Sequence, residues 1–384
     1  MNISNITSTR ASMVTRTIVI SLTSVAIYFS SVAMQAISYD MIGYVASAFS
    51  IDGFQGAELQ ENTVQDIKNS VSAAKYKSFT DGSEYWSTVL IDQKSLQQIV
   101  PLYAIRIAYI ELMRLVHKFG ESYTTASIQI GAFFGGLVVI VMGLIMIKVK
   151  LPIVMLVTNF LAVAKLPSPD TMACFFALVS VYLLMTGSRV VFLILIFMPL
   201  VRTDLIILSG IILVYMYFSD KSKSRLFLYI SAVLSVIAFM YANKVHGNYG
   251  LLNLFNNHHV HHDLPKSLYP ADIEISTRVR DYVMPYIWLI RDALSNSHAV
   301  IYMIAISIVV YARRIRLNIK YQFPLFVIPF TYVLLHLLAF PAYFERFFMF
   351  SIFLTLLGIM HFLKFQLYQP VERHENVGND VQSK

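Results

Sequence analysis

A single cysteine, Cys174, stands in 384 residues. That excludes an intramolecular disulfide and leaves Cys174, set in an apolar run, to pack as a small hydrophobe. Charge is scarce too, at 14% of the chain, well below what a soluble domain carries. No glycine-rich phosphate loop, serine nucleophile elbow or cysteine–histidine metal spacing occurs, which disfavours a cytoplasmic nucleotide-driven enzyme. The net charge of +8 lies in short clusters and forms no stripe, so nucleic acid is not an expected partner.

What remains is apolar: 57% hydrophobic residues, with a mean hydropathy of +0.63. The runs are continuous rather than alternating, so the chain is expected to be all-α, a polytopic membrane bundle rather than a barrel. After Arg10 and Arg16 the first run, 17–37, is long enough to cross about 30 Å of hydrocarbon. Val32-Ala33-Met34-Gln35-Ala36 resembles a signal cleavage site, but the run exceeds a typical signal core and is read as a retained span. Further spans are expected at 124–147, 151–165, 170–187, 189–201, 204–219, 226–243, 298–311, 321–340 and 346–364, about ten in all. The run at 189–201 is short enough to be tilted, or broken at Pro199.

Residues 101–120 are hydrophobic on average yet contain Arg106, Glu111, Arg114, His117 and Lys118. Leu102, Ile105, Tyr109, Leu112 and Val116 recur at helical spacing, as expected of a helix lying in the interface. With that assignment Lys148, Lys150, Arg189, Lys221, Lys223, Arg225, Arg313, Arg314, Arg316, Lys320 and Lys364 share the cytoplasmic side with Arg10 and Arg16. The chain then reads as one transmembrane domain over 1–384 of a cell inner membrane, with both termini cytoplasmic. It carries a first outer loop at 38–123, a second at 244–297 with an interfacial helix near Tyr286–Leu294, and a polar, disordered tail at 369–384.

Asp40, in Ser38-Tyr39-Asp40-Met41-Ile42-Gly43-Tyr44, follows the first span directly. It either marks the exit from the bilayer or sits at a wet active site beside the lipid surface. Leu166–Thr171, Pro199–Asp204, the second outer loop and Pro341–Arg346 fall on the same outer side. Arg202 and Arg346 run against the inside bias there, either snorkelling to headgroups or gripping a phosphate, with Glu345 as an alternative partner of Arg346.

The order of these elements resembles the GT-C class of integral-membrane glycosyltransferases, which use polyprenyl-phosphate-linked sugars. The likeness is carried by Asp40 with Tyr44 after the first span, and by Pro101-Leu102-Tyr103 opening a passage that ends in His117-Lys118-Phe119-Gly120-Glu121-Ser122. Pro169-Asp170-Thr171, Arg202-Thr203-Asp204 and Glu345-Arg346-Phe347 follow, the last similar to the family's ERY, with phenylalanine in place of tyrosine. The resemblance implies an inverting transferase acting on the outer face, with Asp40 as general base. Tyr44, Asp170, Arg202, Glu345 and Arg346 would be substrate contacts, and Arg346 and Arg202 would stabilise the leaving phosphate. Asp170 is either a contact to acceptor or divalent metal, or an ordinary Pro-Asp helix cap. The implied partners are a polyprenyl-phosphate-linked sugar donor, a glycan or lipid acceptor, and membrane lipids, in cell-envelope polysaccharide biosynthesis.

His258-His259-Val260-His261-His262-Asp263 admits a metal reading through His258 and His262, four apart. The surrounding asparagines and Pro265 favour a flexible loop that covers substrate. Two other functions are kept: an O-antigen-type polysaccharide polymerase, which would rely on arginines rather than Asp40, and a lipid-linked sugar flippase or transporter. The latter would be expected to show charges deep in its spans or an internal repeat, and neither is present.

Overall fold

The computed structural model describes residues 3–146, 151–219, 225–261, 266–295, 297–315 and 323–368. The tail 369–384, His262, Asp263 and most of the basic residues assigned to cytoplasmic turns lie outside them. Among the described residues there is no strand. Helix α1 covers Ile3–Ala33. The segment 38–123 folds as six helices: α2 (Asp40–Ile51), α3 (Gly56–Ser70), α4 (Ala73–Asp81), α5 (Glu84–Ile91), α6 (Gln93–Ala104) and α7 (Ile107–His117). Then come α8 (Tyr123–Ile145), α9 (Leu151–Val157), α10 (Phe160–Ala164), α11 (Asp170–Thr186), α12 (Val191–Val201), α13 (Leu205–Phe218) and α14 (Arg225–Lys244). The segment 244–297 holds α15 (Leu251–Phe255), short turns, and α16 (Val279–Ser295). Helices α17 (Ser297–Arg314), α18 (Phe323–Ala339) and α19 (Met349–Tyr368) are the last of the described elements.

Among the described residues, four stretches are long and apolar enough to cross a membrane: Met13–Ala33, Tyr123–Ile145, Arg225–Lys244 and Glu345–Leu363. Broad apolar faces stay exposed on α1 (Leu22, Phe29), α14 (Phe227, Val233, Met240) and α17 (Met303, Val310), which is lipid-facing chemistry. Helix α16 likewise exposes Val283, Ile287 and Trp288, while its Tyr286 hydroxyl donates to the Leu338 carbonyl at 2.7 Å.

Three expectations change in detail. Residues 151–165 are not one helix: Asn159 takes a left-handed conformation (φ 50°) between α9 and α10. The segment still packs on α8 through both pieces and ends where the Lys165 carbonyl accepts from the Ala36 amide at 3.1 Å. At that end Gly131 is essential, because a Cβ there would sit 2.6 Å from the Leu166 carbonyl oxygen. Residues 101–120 are likewise two helices. The Arg106 guanidinium turns back to the Leu102 carbonyl, placing a cation at the end of α6, and α7 starts afresh. The buried stripe of α7, Tyr109, Ile110 and Met113, faces α2 and α8. Finally, α12 passes through Pro199 without a break; the Leu195 carbonyl, which an amide at 199 would have bonded, accepts instead from Ser209 Oγ at 2.9 Å and Ser235 Oγ at 3.1 Å.

The segment 38–123 is tied down by its own polar residues. Asp92 caps α6 by accepting from the Lys94 and Ser95 amides, and Asp66 of α3 accepts from the first two amides of α8 at 3.1 and 2.9 Å. The segment 244–297 docks on it. Ser95 Oγ donates to the Leu268 carbonyl at 2.8 Å, the Tyr269 hydroxyl to Asp92 at 2.6 Å, and Lys94 pairs with Asp272 at 2.8 Å.

Candidate functional site

The chain leaves α1 through a short irregular stretch, and Tyr39 fixes its exit. The Tyr39 ring is stacked against Phe79 on one side (5.2 Å) and Trp86 on the other (5.5 Å, planes 3° apart). Asp40 therefore opens α2 rather than closing α1, with its carboxylate at the favourable positive end of a helix. The Tyr103 hydroxyl donates to Asp40 Oδ1 at 3.0 Å. Gly43, one turn on, allows this, because a Cβ at 43 would overlap the Tyr103 ring. Tyr44 is buried behind, edge-on to Tyr103 and Tyr109 at 5.1 Å each, and its phenol titrates well above the ordinary range, chiefly through burial.

The other oxygen of Asp40 meets the far end of the chain. Residues Glu345–Phe348 form a single 3-10 turn that leads into α19, and Arg346 Nη1 lies 2.5 Å from Asp40 Oδ2. The same guanidinium reaches Asp170 Oδ2 through Nε at 3.5 Å. Asp170, the first residue of α11, also accepts from Ser168 Oγ at 2.8 Å and from Arg202 Nη1 at 2.9 Å, so ion pairs replace the capping role open to it. Arg202 forks onto Asp204 through Nε (3.0 Å) and Nη2 (2.7 Å). Asp204 in turn accepts from the Tyr332 hydroxyl at 2.6 Å and lies 3.5 Å from His336 Nε2, both on α18.

The result is a ladder of alternating sign: Asp40, Arg346, Asp170, Arg202, Asp204. Phe347 is its plate, with its ring centroid 4.0 Å from the Arg202 guanidinium carbon and 5.2 Å from that of Arg346. Its middle is buried and its ends are partly exposed. The Arg202 and Asp170 side chains are 5% and 3% exposed, whereas Arg346 and Asp40 at one end are 24% and 21% exposed and Asp204 at the other is 22% exposed. Three nitrogens of Arg202 are committed to protein carboxylates within a buried pocket, so it holds the site's shape; Arg346 sits at a partly exposed end.

Four of the residues singled out from sequence, Asp40, Asp170, Arg202 and Arg346, thus meet at one end of the bundle, with Tyr44 one layer behind. Glu345 acts electrostatically on His298 and Tyr343, while Arg346 pairs with the two aspartates. His258 lies against Phe340 (5.4 Å) and Phe344 (5.7 Å), bringing the segment 244–297 to the rim of the site. Sequence reasoning gave no role to Tyr103, Ser168, Asp204, Tyr332 or His336. The available signals were Asp204 two residues after Arg202, and Tyr332 and His336 as polar groups four apart in an apolar helix.

The arrangement does not suit a divalent cation. A guanidinium stands between each carboxylate and the next, which supplies the neutralising charge and the spacing that a metal would require. Among the described residues no group of three or more histidine, cysteine or acidic side chains is arranged to hold a metal ion. Compared with known proteins, the chain matches no family model, no curated protein and no solved structure.

Proposed function

We propose that the chain is a membrane glycosyltransferase of GT-C type, moving a sugar from a polyprenyl-phosphate donor to a glycan or lipid acceptor at the outer face of a cell inner membrane. On this reading the bundle crosses about ten times, the 151–165 segment being one broken crossing, with both termini cytoplasmic. The observation that supports it most is the Asp40–Arg346 pair, which joins the first residue of α2 to the turn that leads into the last helix, α19, at 2.5 Å. A base and an anion-binding cation within one contact are what glycosyl transfer from a phosphate requires.

In the reaction the acceptor hydroxyl oxygen attacks the anomeric carbon, and the bond from that carbon to the phosphate oxygen breaks with its electron pair on the leaving polyprenyl phosphate. The hydroxyl proton passes to Asp40, and the sugar is inverted. General-base help of this kind contributes about 10²–10⁴-fold. Arg346 offsets the charge that develops on the phosphate, whereas Arg202 keeps Asp170, and through it Arg346, in register.

Transfer from a panel of polyprenyl-phosphate sugars, assayed with wild type and Asp40→Asn, tests the proposal. Activity in wild type and its loss in a folded Asp40→Asn supports it; equal activity in both refutes Asp40 as the base. A second reading, an O-antigen-type polymerase, draws support from the two guanidiniums packed on Phe347 at the heart of the site. A change in the chain length of extracted polysaccharide on substitution of Arg346 would favour it.

A further inference from the structure

We infer that Asp40 fills the phosphate site of Arg346, so that a donor phosphate binds by displacing the carboxylate and thereby frees the base that the reaction needs. The inference rests on the reading just given, but it concerns the order of events at that site. Both oxygens of Asp40 are engaged, Oδ2 by Arg346 at 2.5 Å and Oδ1 by the Tyr103 hydroxyl at 3.0 Å. A carboxylate held in this way is a poor proton acceptor, because accepting a proton would cost it a charge-assisted bond. Arg346 is also the guanidinium free to change partners. It is 24% exposed against 5% for Arg202, and its second carboxylate, Asp170, lies farther off at 3.5 Å.

The donor's phosphate is a diester with one negative charge, as a carboxylate has, and presents two oxygens matched to the same planar fork, so it competes directly with Asp40. When Arg346 turns to the phosphate, Asp170 and the Phe347 ring hold the guanidinium from its other sides, and Asp40 keeps only the Tyr103 bond. No bond to the sugar is made or broken in this exchange. Its consequence is economy of reaction: the base is uncovered only when the donor is in place, and the same movement puts the cation where the leaving group's charge will appear.

The exchange makes a prediction opposite to that of a purely structural ion pair. If Asp40 competes with phosphate, removing its charge tightens phosphate binding. The probe is farnesyl methyl phosphate, a diester with the donor's single charge, with farnesol as the chargeless control, titrated against detergent-solubilised full-length wild type, Asp40→Asn and Arg346→Gln. Asp40→Asn is expected to bind the diester about tenfold more tightly, the equivalent of one charge-assisted hydrogen bond, with farnesol unaffected. Arg346→Gln is expected to bind the two probes alike. Unchanged or weaker phosphate binding by Asp40→Asn with a wild-type unfolding midpoint overturns the inference. Should that variant not hold its fold, Asp40→Ser reads the same competition. The inference and the function fail separately: transfer that survives Asp40→Asn removes the base, whereas lost transfer without tighter phosphate binding removes only the exchange.

Discussion

Arg202 is the residue whose loss the structure values most. Its side chain is 5% exposed, it donates to Asp170 and doubly to Asp204, and it lies 4.0 Å from the centre of the Phe347 ring. Replacing it with methionine keeps much of the apolar stem's packing but leaves Asp170, itself 3% exposed, with Ser168 and the more distant Arg346 as its partners. Removing one member of a buried ion pair typically costs about 3–5 kcal/mol, because the remaining charge is left desolvated. A loss of that size lowers a thermal unfolding midpoint by about 10 °C. Scanning fluorimetry in detergent reads it directly. The same argument says that the cost lies in the orphaned carboxylates, so removing one of those charges as well should restore part of the loss. Arg202→Met combined with Asp170→Asn is expected to recover about 1–3 kcal/mol relative to additivity. A single-variant cost below about 1 kcal/mol, the ordinary range for exposed pairs, or strictly additive effects in the double variant, would refute the claim that the ladder is a coupled, desolvated unit.

Gly43→Ala should push the Tyr103 ring off Asp40 and lower stability by about 1–3 kcal/mol, as overpacking does; an unchanged midpoint would show that the ring has room to move. Gly131→Ala, which drives a Cβ into the Leu166 carbonyl, should cost a similar amount by the same assay, because the obstacle is backbone. The docking of the segment 244–297 on 38–123 is expected to depend on pH. Its partner Lys94 holds the exposed Asp272 carboxyl below the usual carboxylate range, and Asp272 holds Lys94 above its own. The pair's contribution is therefore present between about pH 4 and pH 10 and is lost outside that window, as Asp272 protonates or Lys94 deprotonates. Amide exchange over 266–272 should quicken below that range and in high salt, and a flat profile would count against the pair as the tie. Chelation with EDTA should leave transfer unchanged, since guanidiniums stand where a cation would have to sit; a loss restored by added magnesium would overturn that geometry.

Which parts of this were legible beforehand follows from physical range. Long apolar runs announce helices through composition alone, and α1, α8, α14 and α19 lie where their runs do. The break at Asn159 was not visible, because a single left-handed residue inside an apolar run leaves no periodic trace. Asp40, Asp170, Arg202 and Arg346 stood out because charge next to an apolar run is costly and therefore conspicuous. Their pairing was not legible, since it joins positions 40, 170, 202 and 346 through tertiary packing. Adjacency alone offered Glu345 as a partner for Arg346, and it gave no sign of the pairs that Arg346 forms with Asp40 of α2 and Asp170 of α11.

Burial then divides the work between two arginines that look equivalent in the sequence. Arg202 is enclosed, forked and bonded through three nitrogens, so any ligand that sought it would have to break a desolvated network worth several times the gain of one new contact. Arg346 lies at the rim, with one close partner and one distant partner, so exchanging an anion there costs little beyond the bond exchanged. A site that must hold its geometry and also release a carboxylate on demand needs both kinds of cation. The shared neighbour Asp170 couples them, since it fixes how far Arg346 can travel. Lengthening that tether, as in Asp170→Glu, should therefore disturb phosphate affinity at Arg346 even though the charge is conserved; an affinity within about twofold of wild type would show that Arg346 is positioned by its backbone turn alone.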